Sequence, residues 1–175
     1  LMFGVLFLHS LLGWGDGIRR GLWEKHPIKL KYKTKHRRQI TNPNPKGKKP
    51  TVWGGTCDVC QGEFIESLLQ VDHIHGGAFS LKSYDDVSVF IKNISLVTED
   101  DLRLVCKDCN YTLSYAQKYN VPLEEAYIRR FVASLERDKK LKEFFIERKL
   151  DYPGSIPKAK TACIDILLKE IKTES

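Results

Sequence analysis

The order of apolar and polar positions predicts most of the elements. Beyond residue 122, Tyr127, Phe131 and Leu135 recur four apart, flanked by Ile128 and Val132, and Leu141, Phe144 and Phe145 extend the stripe. That spacing predicts an amphipathic helix. Tyr152-Pro153-Gly154-Ser155-Ile156-Pro157 breaks it, and a short last helix follows with Ile164, Leu167, Leu168 and Ile171 on one face. Asp101-Leu102-Arg103-Leu104-Val105 reads as a short strand into Cys106, and Asn110 opens a helix through Thr112 to Tyr119. In Lys29-Leu30-Lys31-Tyr32-Lys33-Thr34-Lys35 every odd position is basic. A period of two predicts an extended strand with one charged face. Asn42-Pro43-Asn44-Pro45-Lys46-Gly47-Lys48-Lys49-Pro50 holds three prolines and a glycine. These forbid regular helix and predict a linker or arm. Leu1 to Leu8 is apolar, interrupted at His9 and Ser10, and predicts a buried strand or short helix. No internal repeat is present.

Length and composition narrow the class. With 175 residues, 42% of them hydrophobic, the chain can pack one domain and is not disordered as a whole. No run reaches the roughly 18 apolar residues of a membrane span. The apolar start lacks a basic leader and a small-residue cleavage site, so no signal peptide is expected. Five clustered cysteines do not make a secreted disulfide scaffold. The expected compartment is therefore intracellular, with no membrane and no small-molecule cofactor.

The formal charge of +7 is local. From Ile18 to Lys49 there are twelve basic residues against the single acid Glu24, which is +11, so the rest of the chain carries −4. Such one-signed runs suit phosphate contacts. The predicted contacts are Arg19, Arg20, Lys29, Lys31, Lys33, Lys35, Arg37, Arg38, Lys46, Lys48 and Lys49. They would give affinity and register but little sequence information. The partner they imply is acidic, such as nucleic acid or an anionic membrane.

Cys57-Asp58-Val59-Cys60 and Cys106-Lys107-Asp108-Cys109 are two Cys-x-x-Cys pairs, with 45 residues between Cys60 and Cys106. Each such turn sets two sulfurs on one side of the backbone, and two turns supply the four thiolates of a tetrahedral zinc. A redox pair is the alternative, but no thioredoxin-like βαβ pattern surrounds either. Cys163 is left over on the apolar side of the last helix, as a core residue.

Between the pairs lies Val71-Asp72-His73-Ile74-His75-Gly76-Gly77. Neighbours on a strand face opposite ways, but at a bend an Asp can hold a metal while the next His addresses a water. An insertion spans roughly Phe79 to Glu99. Taken in order, Cys57/Cys60, Asp72-His73-Ile74, Asp101-Leu102-Arg103-Leu104 and Cys106-Lys107-Asp108-Cys109-Asn110 resemble the HNH, or ββα-metal, nucleases. Asn directly after the last Cys is similar to phage recombination endonuclease VII and phage homing-type members. The resemblance covers about Trp53 to Tyr119.

That resemblance implies an α+β fold: a zinc-stapled ββα-metal (HNH, His-Me finger) core over 51–120, a basic N-terminal arm over 1–50, and a helical region over 121–175. It implies a DNA endonuclease with His73 as general base. Asp72 and Asn110 would hold one Mg²⁺ or Mn²⁺, and His75 would contact the phosphate. The cysteines would be structural. The family's central Asn, which orients the catalytic His, falls on Asp101, and an ionised Asp can accept but not donate a hydrogen bond. Cutting both strands would need two sites, which a homodimer supplies, with the apolar N-terminus and the C-terminal helices as its candidate surfaces. The alternative is a non-catalytic zinc-containing nucleic-acid-binding module.

Overall fold

The computed structural model describes residues 19–44, 49–75 and 84–174. The apolar start at 1–17, Lys46 and Lys48 lie outside the described residues. The fold is mixed α+β. It divides into two compact units between Asn110 and Tyr111, each with its own core.

The first unit opens with a π-helical turn, Arg19–Trp23, and a helix, α1 (Pro27–His36). The lysine-rich segment is thus helical and not the expected strand. Pro27 stands in its first turn, where its missing N–H costs nothing. Lysine also has good helix propensity. One buried ring, Tyr32, with Ile28 half-buried, anchors the helix to the core.

Strand β1 (Arg38–Thr41) pairs antiparallel with β2 (Thr51–Thr56), Arg38 opposite Gly54 and Thr41 opposite Thr51. The proline-rich segment therefore joins two paired strands, and its residues 45–48 lie outside the described residues. The Asn42 N–H donates to the Pro50 carbonyl at 2.9 Å and closes its base. Strand β3 (Glu63–Ile65) completes a three-stranded sheet in the order β1-β2-β3. A Cβ at Gly55 would meet Leu104 at 3.0 Å and the His36 carbonyl at 3.2 Å, so glycine lets this sheet approach closely.

Strands β4 (Leu69–His73) and β5 (Leu102–Cys106) form a second, two-stranded antiparallel sheet. Its register sets Leu69 opposite Cys106, Asp72 opposite Arg103 and His73 opposite Leu102. Leu69, Val71 and His73 are buried on one face, while Gln70 and Asp72 on the other are half-buried. The core of the unit is Trp23, Tyr32, Leu69, Val71, Val97, Leu102 and Leu104. The insertion between the strands contains helix α2 (Tyr84–Ser95), which buries Phe90 and Ile94.

Helix α3 (Lys107–Tyr119) starts at the end of β5, and the division between units falls inside it. The second unit continues with α4 (Leu123–Arg137), α5 (Leu141–Glu147) and α6 (Ile156–Glu174). Its core is Ile128, Val132, Leu141, Phe144, Phe145, Ala159 and Cys163. The expected stripe is rotated: Ile128 and Val132 are its buried line, while Tyr127 and Phe131 stay exposed. The last helix is 19 residues long and buries Ala159 and Cys163 fully, with Ile171 exposed. Cys163 is the plain core residue expected. No helix among the described residues is long and apolar enough to cross a membrane.

Candidate metal centre and adjoining strand end

The four cysteines come together. Their Sγ atoms all lie within 4.8 Å of one another, with Cys57, Cys106 and Cys109 buried and Cys60 exposed. Four thiolates around zinc at roughly 2.3 Å stand about 3.8 Å apart, so the cluster fits a tetrahedral ion after a small contraction. The first turn is shaped for this. Cys57 donates to the Gly62 carbonyl at 2.9 Å, Gln61 donates back to the Cys57 carbonyl at 2.9 Å, and Gln61 takes a left-handed φ of 59°. The turn is fastened to β5, because Asp58 N–H donates to the Leu104 carbonyl at 2.8 Å and its Oδ2 accepts from Leu104 N–H at 2.6 Å. Burial pushes the Cys57 thiol up, but backbone N–H groups of Cys60, Cys106 and Val59 outweigh that and bring it down to about 7. A thiol poised that way gives up its proton readily to a metal. The cluster could hold a metal ion such as zinc.

Beside it, β4 carries Asp72 and His73 to the end of the strand. The strand stays regular through His73, and the bend comes one residue later, at Ile74 and His75. The two side chains therefore face opposite ways. Asp72 Oδ2 accepts from Arg103 Nη2 at 2.9 Å and Nε at 3.2 Å. Asn110 lies in the first turn of α3 and donates from Nδ2 to Gln70 Oε1 at 2.6 Å. Gln70 and Asp72 are two apart on one strand, so Asp72 and Asn110 address the same face of β4. Carboxylate and amide oxygens suit a hard cation. Arg103 would have to release Asp72 to admit one.

His73 lies on the other face and is 7% exposed. Its ring stacks on Trp23 with centroids 4.3 Å apart, and its Nε2 is 3.0 Å from the Asn93 carbonyl. Burial holds its imidazole below the ordinary value, against the opposing pull of the Asn93 carbonyl and the carboxylates of Asp72 and Asp101. With His75, Lys92, Asn93, Leu96, Val97 and Asp101 it lines a cavity of about 180 Å³. The bend expected to bring His73 and Asp72 to a common centre is thus absent at Asp72, and the histidines gather with Asp101 instead.

Asp101 has a defined task. Its Oδ2 accepts from Thr98 N–H at 2.8 Å and Thr98 Oγ1 at 2.7 Å, in a reciprocal cap of the short turn Glu99–Asp101. These donors hold the carboxyl below its usual range. Its backbone carbonyl accepts from Ile74 N–H at 2.8 Å and so fixes the bend after His73. The cap needs only a side-chain acceptor, which an ionised Asp supplies, while the carbonyl contact is open to any residue.

The basic segment is less one-sided than its sequence. Lys29 pairs with Glu24 at 2.8 Å, Lys31 and Lys35 with Glu99 at 2.8 and 2.7 Å, and Lys33 and Arg37 with Glu66 at 3.6 and 3.8 Å. Arg38 pairs with Glu63. Three acids distant in sequence thus fold back onto it, and the two lysines hold Glu99 down to about 2. Exposed pairs of this kind stabilise little. Arg19 and Arg20 begin the described chain, and Lys49 is exposed beside the hairpin loop.

Four contributors carry no motif in the sequence: Arg103, Gln70, Trp23 and Asn93. The first two were findable, since alternation places Gln70 beside Asp72 and antiparallel pairing places Arg103 across from it. Trp23 and the Asn93 carbonyl are brought in by tertiary packing alone. No family model, no curated protein and no solved structure matches the chain.

Proposed function

We propose that the chain is a metal-dependent DNA endonuclease of the HNH type. The observation that carries this reading is the order of parts around the sulfur cluster. Strand β4 ends on Asp72-His73, β5 runs into the second cysteine pair, and α3 starts there with Asn110 in its first turn. Two antiparallel strands followed at once by a helix is the ββα arrangement the motif implies. The four cysteines are the structural staple, for their donors would all be filled and could not activate water.

Hydrolysis needs a base that is unprotonated at working pH. In its seat on Trp23, burial holds the His73 imidazole below its ordinary value, which favours the unprotonated form before substrate binds. His73 takes a proton from water, the water oxygen bonds to phosphorus, and the bond to the 3′-oxygen breaks. Asp72 and Asn110 would hold Mg²⁺ or Mn²⁺, which when bound supplies charge compensation for the leaving oxygen. His75, on the bend, contacts the phosphate. The reading requires His73 to leave its seat on Trp23 when substrate binds, through a turn of the strand end after Asp72. Wild-type protein should nick supercoiled plasmid with Mg²⁺ or Mn²⁺. His73→Ala should lose about 10²–10⁴-fold in rate while still retarding the plasmid on a gel. Nicking at the wild-type rate by that variant would remove His73 as the base.

A second reading is a zinc-containing nucleic-acid-binding module without catalysis. Two contacts favour it: the Asp72–Arg103 ion pair and the stacking of His73 away from Asn110. It expects plasmid to be retarded but left closed under every metal.

A further inference from the structure

Trp53 sits in the middle of β2, the central strand of the three-stranded sheet, yet 47% of it is exposed. The Arg37 guanidinium carbon lies 4.7 Å from its ring centroid. Directly across the sheet is Gln39, also exposed. Cross-strand partners of this kind stand about 5 Å apart at Cβ, so the amide borders the indole. The charge beside it is positive: Lys33 and Arg37 contact Glu66 and Arg38 contacts Glu63, three cations on two acids.

We propose that Trp53, with Arg37 and Gln39, is a stacking platform for an unpaired nucleobase in a single-stranded nucleic acid. An accessible indole face is what base stacking requires, and it accepts any base because every base has a π face. Arg37 serves the adjoining phosphate. The Gln39 amide offers a donor and an acceptor to the base edge. Bases inside a duplex are stacked on each other and cannot reach the ring, so the platform discriminates single strands from duplex. The cations alone would not discriminate, because phosphate contacts are sequence- and base-independent. This inference rests on the nucleic-acid partner of the preceding reading but on neither His73 nor cleavage.

The test is binding of the full chain, in a chelator-free buffer without Mg²⁺ or Mn²⁺, to labelled oligothymidine, oligouridine and a DNA duplex of equal length, read by fluorescence anisotropy. Trp53→Ala should weaken the single strands about tenfold and leave the duplex nearly unchanged. Trp53→Phe, which keeps a π face, should retain most of the affinity. Weaker binding of oligouridine than of oligothymidine by wild type would assign the platform to DNA, and the reverse to RNA. Should Trp53→Ala lower the melting temperature, Trp53→Leu keeps the apolar bulk without the π face and takes its place. The proposal is overturned if these variants bind single strands like wild type, or lose single strand and duplex in equal measure. Duplex binding with no effect of Trp53 sinks the platform alone. Failure of wild type to bind any of the three sinks the nucleic-acid partner with it.

Discussion

Taking the metal from the four-cysteine cluster should unfold the first unit and spare the second. The perturbation is Cys106→Ser, or a high-affinity chelator on the wild-type chain. Cys57, Cys106 and Cys109 are 0%, 3% and 2% exposed, so three of the four sulfurs are anchored in the interior and only Cys60 reaches the surface. Its loss reopens the 45 residues between Cys60 and Cys106. Closing a loop of that length is worth about 4 kcal/mol in the chain-entropy treatment used for covalent cross-links. A domain has only about 5–15 kcal/mol to lose. Sulfur sites bind structural zinc with about 10–16 kcal/mol in small peptides, so metal removal reaches that limit unaided. The second unit holds none of the four cysteines and has its own core around Val132 and Phe145. The assay is thermal melting followed by near-ultraviolet and far-ultraviolet circular dichroism, with zinc content measured on the same sample. Chelation should erase the tertiary signal of Trp23 and Trp53 while helical signal from the second unit persists. Identical melting with and without chelator would refute the staple.

Two further outcomes follow from burial. His73 has a folded-state pKa depressed below its unfolded value of 6.5. Its contribution is fully present above that pH and is lost as pH falls towards the folded value, because the unfolded chain takes up the proton first. Urea unfolding between pH 7 and 5 should therefore show falling stability, with a shallower slope in His73→Gln, and an unchanged slope would contradict the buried neutral ring. Phe145 is 2% exposed in the second core. Phe145→Ala should cost about 3–5 kcal/mol there, read as a lower midpoint in chemical denaturation, and a loss below about 1 kcal/mol would show the core to be misassigned.

Local pattern carried the elements that depend on local pattern. The strand into Cys106 and the helices beyond Pro122 followed from the order of apolar positions, whereas β4, with Leu69, Val71 and His73 buried in alternation, is regular where the sequence led to the expectation of a bend. The two cysteine pairs predicted their own convergence because a tetrathiolate site tolerates few alternatives. The lysine segment misled for a physical reason. A period of two in charge says which residues are solvated, but a helix also solvates alternate lysines when only one ring, Tyr32, must be buried. Three of its counter-ions, Glu63, Glu66 and Glu99, come from other elements, and only Glu24 lies within the segment itself. The buried line on α4 shifted by one residue for a similar reason: Ile128 and Val132 share a core with Ala159 and Cys163 of α6, while the larger Tyr127 and Phe131 stay exposed.

The adjacency of Asp72 and His73 is where sequence and geometry part most instructively. A motif fixes which residue types follow each other, whereas shared chemistry depends on which face each occupies, and a regular strand separates neighbours by half a turn. Asp101 decides where regularity ends. Its carbonyl takes the Ile74 N–H, so β4 keeps its ladder through His73 and bends only afterwards. Moving the bend back by one residue would carry the imidazole towards the face that holds Asp72, Gln70 and Asn110. That motion breaks two contacts, the Trp23 stack and the Asn93 hydrogen bond, and must also pull Asp72 from Arg103. Under the nuclease reading proposed above, a phosphodiester would offer Arg103 a replacement anion, and a bound strand would be the trigger. On this account Arg103→Ala should loosen Asp72 without substrate. It should also lower the dependence of nicking on substrate binding, seen as a fall in kcat smaller than the rise in KM. An equal loss in both would mean that Arg103 only supports the strand.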